Sequence, residues 1–208
     1  AFDIEDTSQF FKIQQAIVKS PRRPDMIRHI ENLLAEKADF MSLFEERYLP
    51  RFPTNEELLS NPEGSLGRAL AQHLIDNGIS LDFAGLDTSV FYNVDLTLLT
   101  FMALRAVRNH DTYHVILGLT TSPIDEYNLF SFQLAQYMSP THLLRFASGY
   151  LNTAFLDPEN IPKFLTETAH FYQLGKKAKF FPSFRFEENW ATPLEDVREM
   201  LNVSNEQP

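Results

Sequence analysis

From about Asn93 to Leu117 the chain places apolar side chains on nearly every side of a helix: Leu96, Leu98, Leu99, Phe101, Met102, Leu104, Val107, Val115, Ile116 and Leu117, with Gly118 as the stop. A helix apolar all round is stable in water only when other elements surround it. That requirement predicts a bundle built round a central buried helix. The flanking sequence supplies the partners. Phe10, Ile13 and Ile17 follow helical spacing, and beyond the break at Pro21-Arg22-Arg23-Pro24 a second stripe runs through Met26, Ile30, Leu33, Met41 and Phe44. Thr54-Asn55-Glu56-Glu57 is a capping box, and Leu66, Leu70 and Leu74 form an inward stripe closed by Asn77-Gly78. Ser122-Pro123-Ile124-Asp125 opens a further helix, with Ser122 as the cap, Pro123 at the first helical position and Asp125 completing the box. Ser139-Pro140, Asp157-Pro158 and Thr192-Pro193 repeat the signal. Residues 79–92 read as loop, and 204–208 as a polar, disordered tail. The expectation is an all-α, single-domain bundle of about eight helices.

Composition narrows the function. The 208 residues hold 18 Lys+Arg against 28 Asp+Glu, a net charge of −10, which speaks against a nucleic-acid partner. No cysteine is present, which removes thiolate zinc sites, iron–sulfur clusters and thiol nucleophiles. No apolar run approaches the ~20 residues of a membrane span, and Ala1-Phe2-Asp3-Ile4-Glu5 is unlike a signal peptide. The expected location is cytoplasmic, or peripheral on the inner face of a membrane. Lys176-Lys177-x-Lys179-Phe180-Phe181 reads either as an interfacial patch or as lysines complementing a helix C-terminus.

The central helix is interrupted by His110-Asp111-Thr112-Tyr113-His114. His110 and His114 stand one turn apart on one face and continue the stripe Leu96, Leu99, Ala103, Val107, so they point inward. Asp111 lies beside that face. Glu126 follows His114 with eleven residues between, enough for a turn and the start of an antiparallel helix that would bring it level with His114. Burying two imidazoles and two carboxylates costs several kcal/mol per uncompensated charge unless a cation sits among them. The donor set suits zinc, manganese or ferrous iron, and leaves magnesium open. Other readings stay open at this level. The pair could be hydrogen-bonded core with Asp111 paired to Arg108. The spacing matches a zincin helix with Asp111 in the place of the Glu base. A His-Asp doublet also occurs in metal phosphohydrolases, for which His73 and Asp157 are the available further ligands.

His110-Asp111-x-x-His114, eleven residues, then Glu126 resembles the signature of the ubiquinone (coenzyme Q) biosynthesis family called Coq-four. Pro62-Glu63-Gly64-Ser65-Leu66-Gly67 is similar to its Pro-x-Gly-Thr-x-Gly turn, and Gly118-Leu119-Thr120-Thr121 to its Gly-Leu-Pro-Thr turn. Trp190-x-x-Pro193-Leu194-Glu195-x-x-Arg198 resembles its closing segment. Thr120 replaces a proline and Asp125 a glycine, and the family's Gly-Arg-x-Tyr is Gly67-Arg68-Ala69-Leu70. The resemblance points to a divergent, bacterial member.

What the resemblance implies is an α-helical fold, a divalent metal (zinc first) held by His110, Asp111, His114 and Glu126, and work on a polyprenylated benzenoid. That work is removal of the ring C1 carboxyl, coupled in the family to hydroxylation. The other expected role is a non-catalytic isoprenoid-lipid scaffold that organises quinone-biosynthesis proteins. Phe101, Met102, Phe130, Phe132, Leu143, Phe146 and Phe155 are the candidates to line a groove for the tail. Expected partners are the prenylated lipid and other pathway proteins, with a membrane surface and a second copy of the chain left open. Residues 1–60 are expected as a helical part without a placed family counterpart, packed on the same domain; 61–202 as the metal-binding region; 203–208 as the tail.

Overall fold

A computed structural model of the chain describes residues 24–79, 96–138 and 140–203. The helix expected round Phe10–Ile17, nearly all of the 79–92 loop, the Ser139 cap and the 204–208 tail lie outside the described residues. Among those described, the chain is all-α: ten α-helices, no strand, and one isolated bridge between Ser65 and Pro193. The helices are α1 Pro24–Ala35, α2 Ala38–Glu45, α3 Asn55–Leu59, α4 Leu66–Asp76, α5 Leu98–Arg108, α6 His110–Leu117, α7 Pro123–Gln136, α8 Pro140–Leu156, α9 Ile161–Lys177 and α10 Leu194–Met200. Contacts divide the described residues into two compact units, one formed by 27–79, 96–118 and 179–203, the other by 119–138 and 140–178.

In the first unit, α5 and α6 replace the single helix expected over 93–117. Thr97 caps α5, its hydroxyl accepting from Thr100 N at 3.2 Å, so this helix starts at Leu98. Asn109 interrupts the run with φ −104° and ψ 15°. Its amide Nδ2 and its backbone N–H both donate to Arg105 O, at 3.0 and 3.1 Å. An Asn side chain competing for a backbone carbonyl is a common cause of such a break. The two pieces still carry the most buried apolar stretch, including Phe101, Met102, Leu104, Tyr113 and Ile116. Phe40 and Phe44 pack their rings on Phe101 at 5.5 and 5.6 Å. Arg105 is buried in this core. It pairs with Glu187 at 3.2 Å and donates to the carbonyls of Pro182 (2.9 Å), Phe184 (2.6 Å) and Tyr48 (3.3 Å).

The expected capping box at Thr54 forms, with Thr54 N donating to Glu57 at 2.7 Å and Glu57 N to Thr54 Oγ1 at 3.2 Å. Two distant segments clasp each other at the start of α4. Leu66 N donates to Thr192 O, Gly67 N to Trp190 O and Leu194 N to Gly64 O, at 2.9, 2.8 and 2.9 Å. A Cβ at residue 67 would lie 2.9 Å from Trp190 O, so glycine is what lets the strand-like segment approach. The clasp also explains why α10 begins at Leu194 with Pro193 outside the helix and without a Thr192 side-chain cap. The backbone there is committed to residues 64–67.

In the second unit α7 packs against α8 and α9. Ser131 Oγ donates to Thr168 O and Gln136 Nε2 to Gly175 O, both at 2.6 Å. Phe164 of α9 sits against Tyr127 and Phe146 at 5.4 and 5.5 Å. The outer face of α8 exposes Leu143, Leu144, Tyr150, Leu151 and Phe155, an apolar stripe with no acidic residue in the helix.

Candidate metal centre

The site is built on α6. Its C-terminus is closed twice. Gly118 takes φ 68°, the left-handed conformation that ends helices. Arg198 then donates Nε to Ile116 O at 2.8 Å and Nη2 to Val115 O at 3.1 Å. A guanidinium on the last carbonyls satisfies orphan acceptors and complements the helix dipole. Glu195 steadies the same guanidinium at 2.6 Å. The turn, the closing segment and the arginine that resemble family motifs thus all serve to hold the histidine helix.

On that helix His114 is fully buried and His110 half-buried. Their Nε2 atoms face each other at 3.3 Å, with the rings edge to face at 4.8 Å. Two nitrogens each about 2.05 Å from one tetrahedral ion would stand about 3.3–3.4 Å apart. The observed separation matches that of two nitrogens on one tetrahedral ion, and equally that of an N–H···N hydrogen bond between the rings. His110 and His114 thus offer two nitrogen donors from one face of α6, and Glu126 offers a carboxylate from the first turn of α7. Asp111 is on the same helix and half-buried.

Glu126 lies in the first turn of α7, after a short, locally locked connection. Ser122 caps α7, accepting from Asp125 N at 3.4 Å, and Pro123 is at the first turn as expected. Asp125 does not return its carboxylate to the cap. It accepts instead from Thr120 N at 2.9 Å and from the Thr120 hydroxyl, closing the 120–125 turn. Thr120 and Asp125, both departures from the family pattern, are thus partners. Arg145 lies over the Phe130 ring at 5.0 Å. Burial pushes its guanidinium down to about 9, while the charges of Glu126 and Tyr137 act to raise it. It is still a cation at neutral pH, within the field of Glu126.

A third imidazole stands beside the pair. His73 of α4 stacks on His114 with ring centroids 5.9 Å apart and planes at 22°. Burial lowers its pKa first, and His114 lowers it further, against the raising effect of Asp111. In the sequence His73 stands out only as an available further ligand in the phosphohydrolase alternative. Its signal was present, since 66, 70 and 73 share one helical face.

The candidate tail-lining residues fall in different settings. Phe101 and Met102 are core of the first unit, and Phe130 and Phe132 are buried in the second. Phe146 is half-buried, whereas Leu143 and Phe155 are exposed, the latter at 81%. At the lysine cluster, Phe181 is buried and Phe180 packs on Phe40 at 5.7 Å. Lys176 and Lys177 occupy the last turn of α9. No described helix is long and apolar enough to cross a membrane.

Residues 19–207 match the family model of coenzyme Q (ubiquinone) biosynthesis protein Coq4. The chain belongs to the Coq4 family. A mitochondrial COQ4 homolog of ubiquinone biosynthesis from Nematostella vectensis is 30% identical over 154 residues, covering 71% of this chain and 70% of that protein. The Rattus norvegicus COQ4 homolog is 28% identical over 149 residues, 71% of this chain and 54% of its own length. The chain thus spans roughly half to seven tenths of these two relatives. A crystal structure from Nostoc punctiforme PCC 73102, described as a candidate ubiquinone biosynthesis protein, aligns with a TM-score of 0.79. It shares 22% identity over 97% of this chain and 91% of that one, a likeness of fold.

Proposed function

We propose that this Coq4 protein is a metal-dependent decarboxylase of a polyprenylated hydroxybenzoate. The observation that carries the reading is the 3.3 Å approach of the two Nε2 atoms on one face of α6. In this reading His110, His114 and Glu126 hold the ion, zinc first among the candidates. Asp111 serves as a fourth ligand, through oxygen, or balances charge beside it. A bound divalent cation supplies positive charge for the ligand's carboxylate or phenolate oxygen. The chain's own residues do the rest. Burial of His114 keeps water from the inner side of the pair, and Arg145 adds fixed positive charge near Glu126. In the step itself the bond from ring C1 to the carboxyl carbon breaks, carbon dioxide leaves, the electron pair stays on C1 and a proton replaces the carboxyl group.

The test uses the full chain loaded with zinc and a prenylated 4-hydroxybenzoate, with product followed by mass spectrometry. Decarboxylated product is expected from the wild type and none from His114→Ala. Equal product from both proteins would remove the enzyme claim. The exposed stripe on α8 favours a second reading, a scaffold that binds an isoprenoid lipid and other quinone-biosynthesis proteins without turnover. A prenyl lipid retained through purification, together with no product in the assay, would select it.

A further inference from the structure

His73 is the titratable group beside the pair to which the metal reading assigns no task. α4 packs on α6, and the clasp between residues 64–67 and 190–194 fixes where α4 begins. His73 is therefore carried by a braced element rather than a loop. Its ring lies against that of His114, and its Nε2 is buried without a hydrogen-bond partner among the described residues. Buried polar atoms in native proteins are nearly always paired, and one without a protein partner calls for a bound water or a ligand. The second protein-side possibility, an ion held jointly by all three imidazoles, is not what the geometry favours. His110 and His114 aim their Nε2 atoms at each other at 3.3 Å, whereas His73 stacks on the His114 ring with centroids 5.9 Å apart. The remaining role is to meet what the ion holds.

We infer that His73 is a ligand-binding residue of the same site, donating its Nε2–H to an oxygen of the bound aromatic carboxylate. The inference rests on the metal reading above and adds a recognition element for oxyanion ligands. A neutral imidazole suits the task, because it can donate to an anion without adding charge next to a cation. Nearby Asp111 would repel the same anion, which makes a donor at position 73 the more useful.

The experiment uses the full chain loaded with cobalt(II), whose visible absorption reports both metal uptake and the arrival of an oxygen ligand. 4-Hydroxybenzoate is titrated into wild type, His73→Phe and His73→Gln. The expected result is about tenfold weaker 4-hydroxybenzoate binding in His73→Phe, the scale of one lost hydrogen bond to a charged group. Gln, which keeps an amide donor near the Nε2 position, should restore binding to within about threefold. Cobalt affinity should change less than about threefold in either variant, with far-UV circular dichroism unchanged. Equal 4-hydroxybenzoate affinity in all three proteins overturns the inference and leaves the metal site standing. So does loss of cobalt itself in His73→Phe, which would make His73 a metal ligand. A wild type that takes up no cobalt sinks the metal reading and this inference with it. If His73→Phe does not fold, Gln and Asn variants decide the matter, since Asn shortens the donor's reach while Gln preserves it.

Discussion

His110 and His114 show how much a single spacing conveys. Four residues on a helix put two rings on one face, and the chain does bring their Nε2 atoms to 3.3 Å. Single residues around them carry sharp expectations too. Tyr113 is fully buried between Phe181 and Phe186, and its hydroxyl has no hydrogen-bond partner among the described residues. Burial accordingly raises its pKa, so the phenol stays protonated. Removing an unpaired buried hydroxyl relieves a desolvation penalty of about 1–3 kcal/mol. Tyr113→Phe is therefore expected to leave the melting temperature unchanged or raise it, and a clear drop in thermal denaturation would contradict that account. Arg105 behaves in the opposite sense. Arg105→Met strands Glu187 and three carbonyls in the core, with an expected loss of about 3–5 kcal/mol in urea unfolding. Neither effect was legible in the sequence, because nothing local marks residue 187 as the partner of residue 105.

Helices were largely legible, and their ends less so. The box at Thr54 and the caps at Ser122 and Gly118 formed as their spacing indicated, since each relies on contacts within a few residues. The run over 93–117 misled because hydrophobicity is blind to Asn109, whose side chain breaks the helix from within. Two tests belong here. Arg198→Met keeps a stem of similar length but leaves the Ile116 and Val115 carbonyls of α6 without their guanidinium. A loss of about 1.5–3 kcal/mol is expected by urea titration. At α3, Arg51 and the Thr54 N–H hold the Glu57 carboxyl down to about 2, from 4.5. A depressed carboxylate lends stability above its unfolded pKa and loses it as pH falls through the folded one. Acid unfolding should thus draw on Glu57 between about pH 4.5 and 2, and Glu57→Gln should flatten that limb of the stability curve.

For the molecule entire, the strongest expectation concerns the ion. A ligand that binds only the folded state at 100 times its dissociation constant adds about 2.7 kcal/mol. For a chain of 208 residues that corresponds to a rise of roughly 5–10 °C in melting temperature. Differential scanning calorimetry with and without zinc should show it in the wild type and not in His114→Ala, and equal shifts would place the ion elsewhere. The family, the all-α class and the histidine pair could be read from the chain because they are written in local codes: helical periodicity, caps and a short motif. The bracing of that motif could not. Arg198 reaches α6 across 82 residues, His73 meets His114 from another helix, and the 64–67 turn closes on 190–194. Such meetings depend on which surfaces bury best against each other once the helices exist, and periodicity carries no record of that choice.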